Sequence, residues 1–322
     1  MPSLRPRQRA LAAALLVLAG SGVALGARSA VAAPLPGSIR VKQEGGFRTL
    51  FFQAGNGTPN QIEMRSVAGG IEIKDTGQTI YYSEGPADAC LSVDPNTMRC
   101  FDINLTSFKL ADGNDGFHNF TTVNTYVYGN DGDDTLQGDF VFGSDHFFGE
   151  SGKDWLMGGS GFDELDGGPG DDKVYGSFGN DVVLGGPGND LVSGGSDDDW
   201  TVMDTGNDDV YGEAGNDRLS YRNHQAVKVT LDEKANDGAT GEHDNVHGSW
   251  EIIEGSYGDD VLIGNDQVNT LDGLSGNDTL KGRGGNDILD AMAGTGQKIW
   301  GGAGQDDICT GYDLVVWEEC EH

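Results

Sequence analysis

The sequence predicts an all-β coil of very short parallel strands, and three observations carry the prediction. A nine-residue period runs without gaps from Phe140 to Ser220 and resumes after Gly255. Within each period one position is an aspartate and another, two residues on, is apolar. The six residues that end at the aspartate are rich in Gly, Asn and Asp, which tolerate positive φ and suit a tight turn. Three residues with one inward apolar side chain suit a very short strand. A repeated turn and strand winds into a coil of about 18 residues per turn, with two parallel sheets facing each other across a thin core.

Residues 1–32 have the marks of a secretory signal peptide. Arg5, Arg7 and Arg9 precede an apolar stretch from Leu11 to Leu25, and Ala30-Val31-Ala32 offers a small-residue cleavage site. The stretch is short for a membrane span, and no later segment reaches the roughly 20 apolar residues that one requires. The protein is therefore expected to be secreted and extracellular, with no transmembrane segment. Residues 33–108 have another texture: SIRVKQ, RTLFFQA, NQIEMRS, GGIEIKD and QTIYYS bunch β-formers between Gly and Asn turns. They read as a β-rich cap that covers the open edge of the coil. Cys90 and Cys100 close this segment, and Cys309 and Cys320 lie at the other end. Three pairings are possible, and in an oxidising compartment the two short local disulfides are favoured over metal ligation.

Residues 109–220 form the first repeat block. It opens with the degenerate unit LADGNDGFH and with GNDGDDTLQ, whose sixth residue is Asp134. Nine units in one register follow, with Asp145, Asp154, Asp163, Asp172, Asp181, Asp190, Asp199, Asp208 and Asp217 in sixth place. Phe147, Leu156, Leu165, Val174, Val183, Val192, Thr201, Val210 and Leu219 stand eighth. Asp197, where a turn glycine belongs, and Thr201, in a core position, depart from the pattern. Residues 221–253 interrupt it, with one ordinary strand in AVKVTLDE and then a polar loop. The second block, 254–299, is less regular: Asp260, Asp278 and Asp287 stand sixth, but Asn269 and Gly296 replace the carboxylate. Trp300 reads as one extra residue that shifts the frame, so that Asp306 stands sixth in GGAGQDDIC. Residues 300–322 complete the last repeat and cap the coil with the run Val315-Val316-Trp317.

Burying one Val or Leu contributes roughly 1.5–3 kcal/mol, whereas ordering each backbone residue costs about 1–2 kcal/mol. A core of one side chain per nine residues does not hold alone. Charge makes matters worse, since 52 acidic residues face 20 basic ones for a net charge of −32, and 53 residues are glycine. Consecutive units fall on opposite edges of the coil, so the aspartates of alternate units stack at a strand spacing of about 4.8 Å. A hard divalent cation resolves the repulsion. Ca²⁺ takes six to eight oxygens at about 2.3–2.6 Å in flexible geometry, which carboxylates and glycine-bared carbonyls supply; magnesium is stricter and fits less well. Acid, which protonates the ligands, is expected to act like removal of the ion.

The unit GGxGxDxUx, with U apolar, resembles the RTX, or haemolysin-type calcium-binding, nonapeptide, over about half the chain. The resemblance implies a right-handed parallel β-roll with several Ca²⁺ ions held between stacked turns. Carried over position by position, it implies metal ligation by Asp134, by the nine aspartates from Asp145 to Asp217, and by Asp260, Asp278, Asp287 and Asp306. The layout is similar to secreted actinobacterial calcium-binding proteins that carry these repeats without a catalytic module.

A catalytic role is not expected. Gly158-Gly159-Ser160-Gly161 is followed by Phe162 where a nucleophile elbow needs glycine. Gly149-Glu150-Ser151-Gly152-Lys153 lacks both the leading glycine and the Ser or Thr of a phosphate loop. His243 and His247 are four apart, which on a helix suits zinc, but the surrounding Gly, Asn and Asp argue for a solvated loop. Carboxylates that recur with the period suit a structural ion rather than a single acid-base pair. The net charge disfavours nucleic acid and anionic membrane as partners. The expected function is that of a secreted calcium-binding protein that folds on binding the ion. The alternatives are a calcium-dependent adhesin or surface-matrix component with a cell-surface or glycan partner, and, less favoured, an accessory module of an extracellular hydrolase.

Overall fold

The computed structural model describes residues 37–55, 59–139, 143–311, 316–318 and 320. The signal-peptide reading falls outside these residues, as does Val315 of the C-terminal run. Every regular element among the described residues is a β-strand. No helix among them is long and apolar enough to cross a membrane.

The coil forms as its period dictates. Strands alternate between two sheets, so each pairs in parallel with the strand two units later: Asp145–Ser151 with Glu164–Asp166 on one face, Trp155–Ser160 with Lys173–Phe178 on the other. Register is kept by the eighth position, with Phe147 opposite Leu165 and Leu156 opposite Val174. All nine eighth-position side chains from Phe147 to Leu219 are buried, Thr201 included. The sheets are closed by turns, and in most of them, though not at Asp204, Ser256 or Asn265, the second residue adopts positive φ whether or not it is glycine. Gly168 (+90°) and Gly186 (+90°) are matched by Glu150 (+68°), Ser177 (+86°), Glu213 (+73°), Leu274 (+59°) and Arg283 (+79°).

The N-terminal strands are the first windings of the coil. The hairpin of Gly37–Glu44 and Phe47–Gln53 turns on Gly45-Gly46, both at positive φ, as a two-residue hairpin loop requires. Phe47–Gln53 then pairs in parallel with Leu105–Lys109, and Gln61–Val67 with Gly116–Phe120, so each founds one of the two faces. A chain of ring contacts, Phe52 to Phe108 to Phe117 to Phe147, runs from these strands into the repeat core. Cys90 is bonded to Cys100 across an antiparallel pair, and Cys309 to Cys320 near the other end. The segment Val316–Glu318 pairs with Lys298–Ala303 and extends that edge.

Residues 221–253 interrupt the sequence period but not the coil. On one face Arg218–Ser220 pairs directly with Ile252–Glu254, and that sheet, of fourteen strands in all, continues to Ile308–Thr310. On the other face Asp209–Ala214 pairs with Asn245–Val246, where an eleven-stranded sheet ends. A six-stranded sheet takes over, with the expected strand Val227–Thr230 beside Val261–Ile263. Asp237 joins the two: Oδ1 accepts the Thr230 N–H and Oδ2 the Val246 N–H.

The frame slips twice near the end, once before Ile299 and once between Ile299 and Cys309, so the extra residue expected at Trp300 is joined by an earlier one. Ile299 and not Lys298 stands opposite Leu280, and Cys309 and not Ile308 stands opposite Leu289 in the core. Gln297 therefore holds the sixth place expected for Gly296, and Asp307 the place expected for Asp306. The buried side chains decide the register: Ile299 and Cys309 are buried, while Ile308 is half exposed.

Candidate metal centre

Two ladders of aspartates run along the turn edges. On one edge the Asp145 N–H donates to Oδ1 of Asp163, Asp163 to Asp181, Asp181 to Asp199 and Asp199 to Asp217, at 2.7–2.9 Å. On the other, Asp134 donates to Asp154, Asp154 to Asp172, Asp172 to Asp190 and Asp190 to Asp208, over the same range. The usual separation of eighteen residues is the coil pitch, so one carboxylate oxygen of each unit fixes the backbone of the unit before it.

The ladders extend beyond the residues named from the sequence. Asn60 and Asp115 begin one, with Asp115 Oδ1 accepting the Asn60 N–H and the Asp115 N–H donating to Asp134. Asp244 accepts from Asp208, and Glu251 from Asp217, so the interrupting segment supplies both next rungs. Asp278 accepts the Asp260 N–H, and Asp307 accepts the Asp287 N–H. Asp306 lies outside, on the exposed turn, where its Oδ2 accepts from Asn286.

The second oxygen of most rungs is the chemically important one. Oδ2 of Asp115, Asp134, Asp154, Asp163, Asp172, Asp181, Asp190, Asp199, Asp217, Asp278, Asp287 and Asp307 is buried and receives no hydrogen bond from the described residues. A buried, unpaired carboxylate oxygen is costly unless a cation or proton meets it. The first glycine of each unit makes room for it. A methyl group on Gly149 would overlap both Asp154 Oδ2 and the carbonyl oxygen of Gly167 in the next winding. Gly167 stands in the same relation to Asp172 and Gly185, and Gly176 to Asp181 and Gly194. At each of these turns a carboxylate oxygen and a main-chain carbonyl thus converge.

Burial raises these carboxyls against the pull of the backbone N–H that each accepts. Asp181 and Asp134 are pushed up to about 8, with neighbouring aspartates adding to the rise. Asp172, Asp190, Asp199 and Asp217 reach about 7, and Asp154, Asp163 and Asp287 about 6. The less regular rungs find partners inside the protein. Both oxygens of Asp145 accept from Asn119 Nδ2. Asp260 accepts from Val227 N–H, Ser256 N–H and Ser256 Oγ. Asn269 accepts from Asn265 N–H and donates to the Trp250 carbonyl, so the amide needs no ion.

The donor set fits a hard cation. Among the described residues no three His, Cys, Asp or Glu side chains gather as a metal cluster, and an ion at a rung would draw further oxygens from the turn carbonyls beside the carboxylate. Such an all-oxygen set is suited to Ca²⁺. His243 and His247 do not converge as the helical spacing for zinc would require. His247 lies flat on Tyr211, with its Nε2 at 2.7 Å from Asp209 and its Nδ1 bonded to Glu233, while the His243 N–H donates to Asn207.

A search of curated proteins finds no match. The family model of the RTX calcium-binding nonapeptide repeat matches residues 124–140, 128–165, 148–183, 166–200, 204–221, 247–280 and 264–297. These matches follow the two ladders, and the sixth begins inside the interrupting segment, where Glu251 and Ile253 take up their rung and core places. From residue 124 to residue 297 the chain belongs to the RTX calcium-binding nonapeptide-repeat family.

Proposed function

We propose that this is a secreted protein whose β-roll binds several Ca²⁺ ions and completes its folding when it does so. The observation that carries the reading is the row of buried Oδ2 atoms without a protein donor, set against converging turn carbonyls. The ligands are Asp134, Asp154, Asp163, Asp172, Asp181, Asp190, Asp199, Asp217, Asp278 and Asp287, with Asp115 added and Asp307 in place of Asp306. Asp208 stands in the ladder and joins them, whereas Asp145 is satisfied by Asn119 and Asp260 by Val227 and Ser256. When bound, the ion supplies the positive charge that lets adjacent windings stack. The protein residues place the carboxylates, bare the carbonyls and keep one oxygen of each aspartate for the backbone. Because the unfolded chain has no such array, binding free energy becomes folding free energy.

The test is circular dichroism of the chain without residues 1–32, in EDTA and in about 5 mM CaCl₂, the range of extracellular calcium modules, with ion counting by equilibrium dialysis. Calcium is expected to raise the β signal cooperatively and to remain bound at several ions per chain. Equal spectra in both conditions would sink the reading.

A further inference from the structure

The outward face of the N-terminal windings carries a ladder of aromatic rings with one rung left out. Tyr126 lies against His146 with ring centroids 4.2 Å apart and planes within 4°. Beside them Tyr128 stacks on Phe148 at 5.1 Å. In the column of Tyr126 the next strand presents Ser107, and the strand beyond it Phe51, in direct register. A small hydroxyl residue therefore separates two aromatic rings by two strand spacings, about 9.6 Å. Phe51, Ser107 and Tyr126 line one cleft of about 330 Å³. Phe51 and Ser107 also line the adjoining cleft of about 420 Å³. The outer side of each ring is already covered, Phe51 by the Arg40 guanidinium and Tyr126 by His146, which leaves the inner sides toward Ser107.

The width of the gap selects the occupant. Carbon atoms in contact sit about 3.5–4.0 Å apart, so a flat ring between two others needs about 7–8 Å, and a puckered pyranose needs more. The gap suits a sugar better than a nucleobase. Charge selects further. Residues 37–109 contain seven Lys and Arg against eight Asp and Glu, while residues 110–322 contain nine against forty-four. Arg40 and Lys109 line the larger cleft together with Glu84, and Lys42 lines the smaller one, ion-paired with Glu44 at 2.7 Å. Such a basic rim stands out on an otherwise strongly acidic molecule, and guanidinium and ammonium groups beside an aromatic slot match a carboxylated ring.

We propose that the Phe51–Ser107–Tyr126 slot, rimmed by Arg40, Lys42 and Lys109, binds an acidic saccharide by sandwiching one pyranose ring. The slot uses none of the aspartate rungs, so it stands apart from the calcium reading.

The experiment is isothermal titration of the calcium-saturated chain with trigalacturonic acid, its methyl ester and AMP as probes. The acid is expected to bind at least fivefold more tightly than the ester, and AMP more weakly than either. Ser107→Tyr, which fills the missing rung, and Lys109→Glu are each expected to weaken binding of the acid at least tenfold, with unchanged circular dichroism and calcium stoichiometry. Because calcium can itself bridge uronates, Asp181→Asn is titrated in parallel and is expected to leave affinity for the acid unchanged. The proposal is overturned by absence of binding to the wild-type chain, by equal affinity in a folded Ser107→Tyr variant, by tighter binding of AMP, or by loss of binding in Asp181→Asn alone. Should Ser107→Tyr disturb the fold, Lys109→Glu with Arg40→Gln decides the matter by the same tenfold criterion.

Discussion

In the proposed reading, a regular rung aspartate keeps one oxygen for the backbone of its neighbour and offers the other, buried and without a protein donor, to a cation. An Asp181→Asn substitution separates the two roles. The amide keeps an Oδ1 acceptor for the Asp163 N–H and loses the charge. Calcium affinity at that turn is expected to fall at least tenfold, since losing even an outer-shell partner of a metal ligand costs about 10–100-fold. The apo chain is expected to gain stability, because a buried unpaired carboxylate is gone. Calcium titration and melting in EDTA read the two effects separately, and a destabilised apo chain would mean that the charge itself serves the ladder. The regular rungs are legible in the sequence because period alone places them. Asp115 is hidden by a degenerate unit, and Asp244 and Glu251 by the break in spacing. Asp307 escapes because two extra residues enter between Leu289 and Cys309, one on each side of Ile299, and spacing alone cannot choose where each one falls. Burial of Ile299 and of Cys309 in the last windings settles that choice in three dimensions.

At the scale of the element, the unit is a turn that must let two oxygens approach its first residue and a strand that contributes one core side chain. Gly176→Ala tests the turn. The added methyl would overlap the Gly194 carbonyl and Asp181 Oδ2, and because one of these is backbone the winding has to shift. Overpacking of this kind costs about 1–3 kcal/mol, and the loss should be seen in calcium-saturated melts as well as in calcium affinity. An unchanged melting temperature would show that the turn relaxes freely. The alternation of turn and strand is legible in the sequence, since Gly, Asn and Asp mark one and the apolar eighth position marks the other. The left-handed second position is not, because Leu274 and Arg283 adopt positive φ there although neither favours it. Stacking against neighbouring windings imposes a conformation that local preference opposes. The same holds for residues 221–253, whose Val246 and Ile253 enter the core through pairings at spacings outside the regular eighteen-residue pitch.

For the whole molecule, pH acts with opposite sign on the free and the calcium-bound coil. Burial raises the rung carboxyls to about 6 for Asp163, about 7 for Asp172 and about 8 for Asp181, against 3.8 when unfolded. A group whose folded pKa is raised stabilises the fold below its unfolded value and loses that contribution as pH rises through the folded one. In EDTA, these carboxyls are therefore expected to stabilise the coil most at and below their unfolded value of 3.8 and progressively less as pH rises toward about 8. Calcium affinity is expected to rise over the same window, because the ion displaces the protons. Acid is thus expected to act like removal of the ion as far as binding goes, but to stabilise the apo fold. Melts in EDTA and in calcium across this range check both signs, and apo stability that rises with pH would contradict the burial of the carboxylates.

The fourteen-stranded sheet crosses residues 221–253 without a break, while the opposite face changes from an eleven-stranded to a six-stranded sheet at Asp237. Treated as a one-dimensional lattice, the coil has two couplings between neighbouring windings everywhere except at this point, where one continuous sheet carries the connection and a carboxylate bridges the other side. Such a lattice winds as two domains of cooperativity joined by a weak bond, and a half-wound chain with its boundary at the seam is its natural intermediate.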